Sequence, residues 1–247
     1  MSIPPSAAFA TTRWTLVLAA GEAGHPENSA ALEELCRRYW YPLYAFVRRE
    51  GYDAHQAQDL TQGFFELLLE RNDLAGLVRG EGRFRSFLLK ALSRHLLDEH
   101  SRATAAKRGG RNRVLSLDAS DSEERFLLEP SHDETPERHF ERQWALAVLE
   151  SAMQELERRQ IASGKGDEFA VLKPFLAREP EPGEYATLSE RMGLAAGTLA
   201  VQVHRLRHQY RSLVRAAVAD TVDGPLAAED EMRHLLAALS GKSSDFP

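Results

Sequence analysis

Between Thr187 and Arg215 the order of residues leaves the backbone little freedom. Leu199, Val203, Leu206, Tyr210 and Leu213 recur every three or four positions, the repeat of one packed face of an α-helix. That helix is expected from about Ala196. Gly193, just before it, offers a left-handed stop for a shorter helix, and Thr187-Leu188-Ser189-Glu190 fits a capping box at the shorter helix's start. Short helix, glycine-bearing turn and longer helix are the order of a helix-turn-helix. The side of the long helix opposite the apolar stripe carries His204, Arg205, His208, Arg211 and Arg215, and no acid occurs from 194 to 215. Solvated helix faces usually mix signs, whereas a purely basic face suits phosphates and base edges.

The same helical spacing runs through the rest of the chain, and composition agrees with it. The 247 residues include 34 Leu and 34 Ala but only 11 Val and 2 Ile. Helix formers dominate and the β-branched residues that strands favour are scarce, so the expected class is all-α. A first helix is expected from Asn28 or Ser29 to Gly51, kinked or broken at Pro42, a second over about 53–71 and a third from about Phe84 to Arg102. A helix beginning at Thr135-Pro136-Glu137 should reach about Arg159, and a shorter one should cover 168–178. At roughly 150 residues per domain the length fits two small domains.

Charge is distributed unevenly. The whole chain carries a formal −6, yet residues 79–113 carry a net +7 and residues 114–142 a net −6. The acidic stretch 114–134 has little apolar periodicity and reads as a linker. The expected organisation is an extension over 1–27, a helical domain over 28–113, the linker, a second helical domain over 135–218 and a tail helix over 219–247. The single cysteine excludes an internal disulfide and fits a reducing compartment. No apolar run approaches the ~18 residues of a membrane span, and the first residues lack the order of a signal peptide. The expectation is a cytoplasmic protein with no membrane insertion.

Three segments resemble, in order, the conserved parts of RNA polymerase sigma factors of the sigma-70 family, in the extracytoplasmic-function group that keeps only the second and fourth regions. DLTQGFF at 59–65 is similar to the run that grips the polymerase clamp. RGEGRFRSFLLKALSRHLLDEHSR at 79–102 is similar to the promoter-melting, −10-reading region, and TLSERMGLAAGTLAVQVHRLRHQYR at 187–211 to the −35-reading helix-turn-helix. The resemblance implies core polymerase, through its clamp and flap, and promoter DNA as partners. It places Asp59, Gln62 and Phe65 on the clamp, with Gly63 where a Glu is usual. It places Arg79, Arg83, Arg85, Phe87, Lys90 and Arg94 on the −10 strand, Phe87 having core packing as its plain alternative. It places Gln202, His204, Arg205, His208 and Arg211 on the −35 element, although Gln202 falls near the packed stripe. Such a protein binds and extrudes bases but performs no bond chemistry itself.

No catalytic motif, cofactor or metal site is expected. His95, Asp98, Glu99 and His100 crowd one helix without a matching ligand set on a second, and phosphate-loop, nucleophile-elbow and dinucleotide fingerprints are lacking. The competing function is a stand-alone helix-turn-helix regulator reading two half-sites as a dimer. The tail, with Leu226, Met232, Leu235, Leu236 and Leu239 behind the acidic Glu229, Asp230 and Glu231, has three readings. It folds back on the second domain, it docks a regulator such as an anti-sigma protein, or it covers the basic face of the free protein.

Overall fold

The computed structural model describes residues 28–70, 83–105, 119–129, 134–219, 221–222 and 225–241. The expected extension at 1–27, the basic loop at 106–113 and Arg79 lie outside them. The described residues form helices with no strand among them. In chain order these are α1 (Asn28–Arg49), α2 (Ala54–Glu70), α3 (Phe84–Ala105), α4 (Ala119–Leu128), α5 (Pro136–Ala162) and α6 (Gly166–Leu172). A 3₁₀ turn (Lys173–Leu176) follows, then α7 (Glu184–Met192), α8 (Ala196–Ala219) and α9 (Pro225–Ser240). No helix among the described residues is long and apolar enough to cross a membrane.

The chain divides into two compact units, one of Met1–Ala147 with Val218–Pro247 and the other of Val148–Ala217. In the first unit, α1 runs through Pro42 without a break. The proline forfeits one backbone hydrogen bond, but every residue from Tyr39 to Val47 is buried, and that packing holds the segment helical. Trp40 stacks on Phe65 at 5.9 Å and Tyr39 meets Phe84 edge-on at 5.3 Å, tying α1 to α2 and α3. Gly51, at φ 97, ends the first helix, its N–H reaching Arg48 O at 3.1 Å. Asp53 and Gln56 then start α2 reciprocally. Asp53 Oδ1 accepts the Gln56 N–H at 2.8 Å, and Gln56 Oε1 accepts the Asp53 N–H at 3.2 Å.

The acidic stretch departs from its reading as an unpatterned linker, because part of it is α4, packed on α1. Glu123 pairs bidentately with Arg48 at 2.9 and 3.0 Å, and Tyr41 Oη donates to Glu129 at 2.6 Å. The Arg125 guanidinium lies 4.0 Å from the Tyr41 ring centre, and Arg48 lies 4.7 Å from that of Phe126. These acids and aromatics have partners far away in sequence, which local periodicity does not reveal.

In the second unit Leu156, Phe169, Leu172, Phe175, Leu188, Leu199, Val203 and Leu206 form the core, with Tyr210 and Leu213 against it. The helix expected over 168–178 is shorter, because Pro174 cannot donate the next helical bond and the chain tightens into the 3₁₀ turn.

Candidate nucleic-acid interface

The second unit supplies a short helix, a turn and a long helix in the expected order. The start of α7 differs from the reading of Thr187 as its cap. Helix begins at Glu184 behind Gly183 at φ 86, and the Thr187 hydroxyl bonds back to Gly183 O. The Glu184 carboxylate takes the Glu181 N–H at 2.9 Å and the Arg178 guanidinium. The bond from Arg178, then that from the Glu181 amide, hold its pKa down to about 2. Gly193, at φ 65, closes α7, and the Ala195 carbonyl accepts the Thr198 and Leu199 N–H groups to open α8.

On α8 the apolar stripe is turned inward, while His204, Arg205, His208, Arg211 and Arg215 are exposed and carry no ion pair among the described residues. His204, His208, Arg211 and Arg215 follow the three-to-four residue step of one face, with Arg205 on its flank. Gln202 lies beside the packed stripe. It is half-buried, and its side-chain oxygen is buried without a hydrogen-bond partner among the described residues. Arg207 is structural: Nε reaches Phe175 O at 2.9 Å, Nη2 reaches Arg178 O at 2.7 Å and Nη1 reaches Glu179 at 2.6 Å. That clamp fixes the long helix to the 3₁₀ turn and the loop before α7, and keeps one cation off the open face.

In the first unit α3 presents two different stripes. Arg83, Phe87, Lys90 and Arg94 share one side at steps of four, three and four. Lys90 and Arg94 are exposed without ion pairs among the described residues, and Phe87 is half-buried and stacked on Phe84 at 6.2 Å. Arg85 belongs to the other side, with Leu89, Leu92 and Leu96, and is only 1 % exposed. Its guanidinium reaches Glu231 at 2.8 and 3.0 Å and Glu141 at 2.6 Å, and lies 4.7 Å from the Trp144 ring centre. Burial, reinforced by the charge of Glu231, holds the Glu141 carboxyl above its ordinary pKa although Arg85 pulls it down. In this conformation Arg85 is out of reach of a phosphate.

The partner of Arg85 comes from α9. α9 belongs to the first unit, which also takes in 135–147 of the expected second domain, and Arg138 there donates to Gly241 O at 3.3 Å. Its buried residues are Glu231 and Leu235, while Leu226 and Leu236, placed on the apolar stripe by the sequence pattern, are exposed. Sequence reasoning missed Glu231 because an acid at a buried helical position has no local signature.

The third patch is on α2. Asp59 is exposed, with the His55 imidazole 3.1 Å from its carboxylate. Gln62, one turn on, donates to Glu66 at 3.0 Å. Phe65 is buried in the aromatic core rather than presented at the surface. Gly63 faces His95, where a Cβ would stand 3.7 Å from Nε2. His95 is buried, and that burial lowers its pKa. Among the described residues no three His, Cys, Asp or Glu side chains converge as metal ligands.

No protein-family model, no characterised protein and no solved structure matches the chain.

Proposed function

We propose that this chain is a transcription initiation factor of the sigma-70 type, extracytoplasmic-function group, which binds core RNA polymerase and directs it to promoters through −10 and −35 elements. The observation that carries the reading is the long helix behind Gly193, with an apolar stripe in the core and an exposed row of His204, His208, Arg211 and Arg215 that no acid among the described residues neutralises. Such a row supplies phosphate affinity, and its base-edge contacts supply choice. A second, independent support is the Arg83, Phe87, Lys90 and Arg94 stripe on α3. It combines cations with an aromatic ring, the pairing that holds a separated strand by backbone charge and base stacking. Asp59 and Gln62 offer polar groups to the polymerase clamp, and Phe65 supports their helix from within. Cytoplasmic location and two-domain action at the promoter belong to the same reading.

The test is transcription in vitro with purified bacterial core polymerase, the full chain and a library of promoter fragments. Initiation from a discrete subset is expected, lost in Asp59→Ala with Gln62→Ala and redirected or lost in His208→Ala with Arg211→Ala. Sequence-specific duplex binding by the protein alone, with no retention of core polymerase, would instead identify a dimeric helix-turn-helix regulator.

A further inference from the structure

Two charge layers join α9 to the start of α3. In the inner layer Arg85 and Glu231 are both withdrawn from water. In the outer layer Arg83 stands with Nε 3.0 Å from Glu231 and Nη2 donating to Asp230, where the side chains are 21 % and 39 % exposed. Glu231 belongs to both layers and holds Arg83 Nε from beneath, whereas the bond from Arg83 Nη2 to Asp230, with His234 Nδ1 3.2 Å from the same nitrogen, stands at the surface.

A guanidinium that accepts a carboxylate fork accepts a phosphate by the same geometry. Arg83 also heads the α3 stripe whose other members, Phe87, Lys90 and Arg94, have no acidic partner among the described residues. Arg83 is thus the member of the row that acids already hold, Asp230 at the surface and Glu231 beneath it. Leu235 is the apolar residue of α9 that is fully buried, and Leu226 and Leu236 face outward.

We propose that α9 is an internal competitor for nucleic acid: the Asp230 carboxylate stands in for a phosphate on Arg83, and binding a single DNA strand along α3 exchanges one for the other. Arg85–Glu231 keeps the helix attached while the outer pair switches. The inference rests on the reading of α3 as a strand-binding surface.

The experiment measures affinity of the full chain for a mixed-sequence single-stranded 20-mer by filter retention at several salt concentrations. Asp230→Ala should bind more tightly, by up to about fivefold, the range open to an exposed ion pair. Its log–log salt slope should steepen by about 0.7, the amount for one more phosphate contact on a single strand. Glu229→Ala removes the same charge from the neighbouring exposed position and should gain clearly less. Adding Arg83→Gln to Asp230→Ala should erase the gain. Equal gains in the two acid variants, or a gain that survives Arg83→Gln, would overturn the proposal and leave only general charge repulsion. Leu235→Ala loosens α9 without altering charge and should also raise affinity; a fall would overturn the competitor role. Retention of core polymerase by the unmodified chain is scored in parallel. Its failure would sink the transcription reading, while the variant comparison still decides whether α9 competes with DNA.

Discussion

Arg85 and Glu231 carry opposite charges in a place where neither reaches water, and each is tolerable because of the other and of one further partner, Glu141 for Arg85 and Arg83 for Glu231. Removing one partner of such a pair leaves a naked charge and costs about 3–5 kcal/mol, whereas replacing both by apolar groups is often near neutral. Arg85 also holds Glu141, so Arg85→Met should lower the urea midpoint sharply, Glu231→Met added to it should recover only part of the loss, and Glu141→Gln added to both should recover more. The burial of Arg85 was legible: Arg85, Leu89, Leu92 and Leu96 fall on one helical stripe, apart from Arg83, Phe87, Lys90 and Arg94. Grouping it with the surface arginines followed residue type where position was the better guide. At Gly63 a methyl would meet only the edge of His95 at ordinary contact distance. Gly63→Ala should stabilise the chain by about 0.5–1 kcal/mol, read as a raised urea midpoint. His95 gives the fold a pH dependence. Burial lowers its folded pKa below the unfolded value of about 6.5, so the unfolded chain takes up the proton first. The stability is complete above that value and is lost as the pH falls below it toward the folded pKa. The difference between urea midpoints at pH 7.5 and 5.5 should be smaller in His95→Gln than in the unmodified chain.

At the scale of helices, the two glycines around α7 do different work from the polar residues near them. Gly193 holds φ 65 with open space where a Cβ would go, so Gly193→Ala pays only the conformational cost of about 1 kcal/mol. That cost appears as a lower thermal midpoint. Sequence pattern located this stop and the helix after it, because both depend on neighbours within a turn or two. It placed the start of α7 too late, at Thr187, since Glu184 finds its partners in the preceding loop through Arg178 and the Glu181 amide. It also left the 114–134 stretch without a helix. The acids that order α4 answer to Arg48 and Tyr41, whose distance along the chain no periodicity records. For α8, the exposed row makes a quantitative expectation. Each phosphate contact removed from duplex binding, as in Arg211→Ala, should reduce the log–log salt slope by about 0.9. A weakened affinity with an unchanged slope would assign Arg211 to packing instead.

For the molecule as a whole, a formal charge of −6 conceals cations gathered on α3 and α8 and acids spent internally on α4 and α9. The all-α class and the basic face of α8 were readable because they rest on composition and local spacing. The membership of α9 in the first unit was not, because its attachment is made by carboxylates meeting arginines about 146 residues away. That attachment also sets Trp144 beneath a guanidinium, 4.7 Å from ring centre to Arg85. An indole facing a cation in a dry pocket emits at a different wavelength and intensity from one that meets solvent. With Trp14 and Trp40 changed to Phe, the chain would hold a single tryptophan, at the root of α9, excitable apart from its six tyrosines. Any displacement of that helix would then be reported by the tryptophan's ultraviolet emission, without a label.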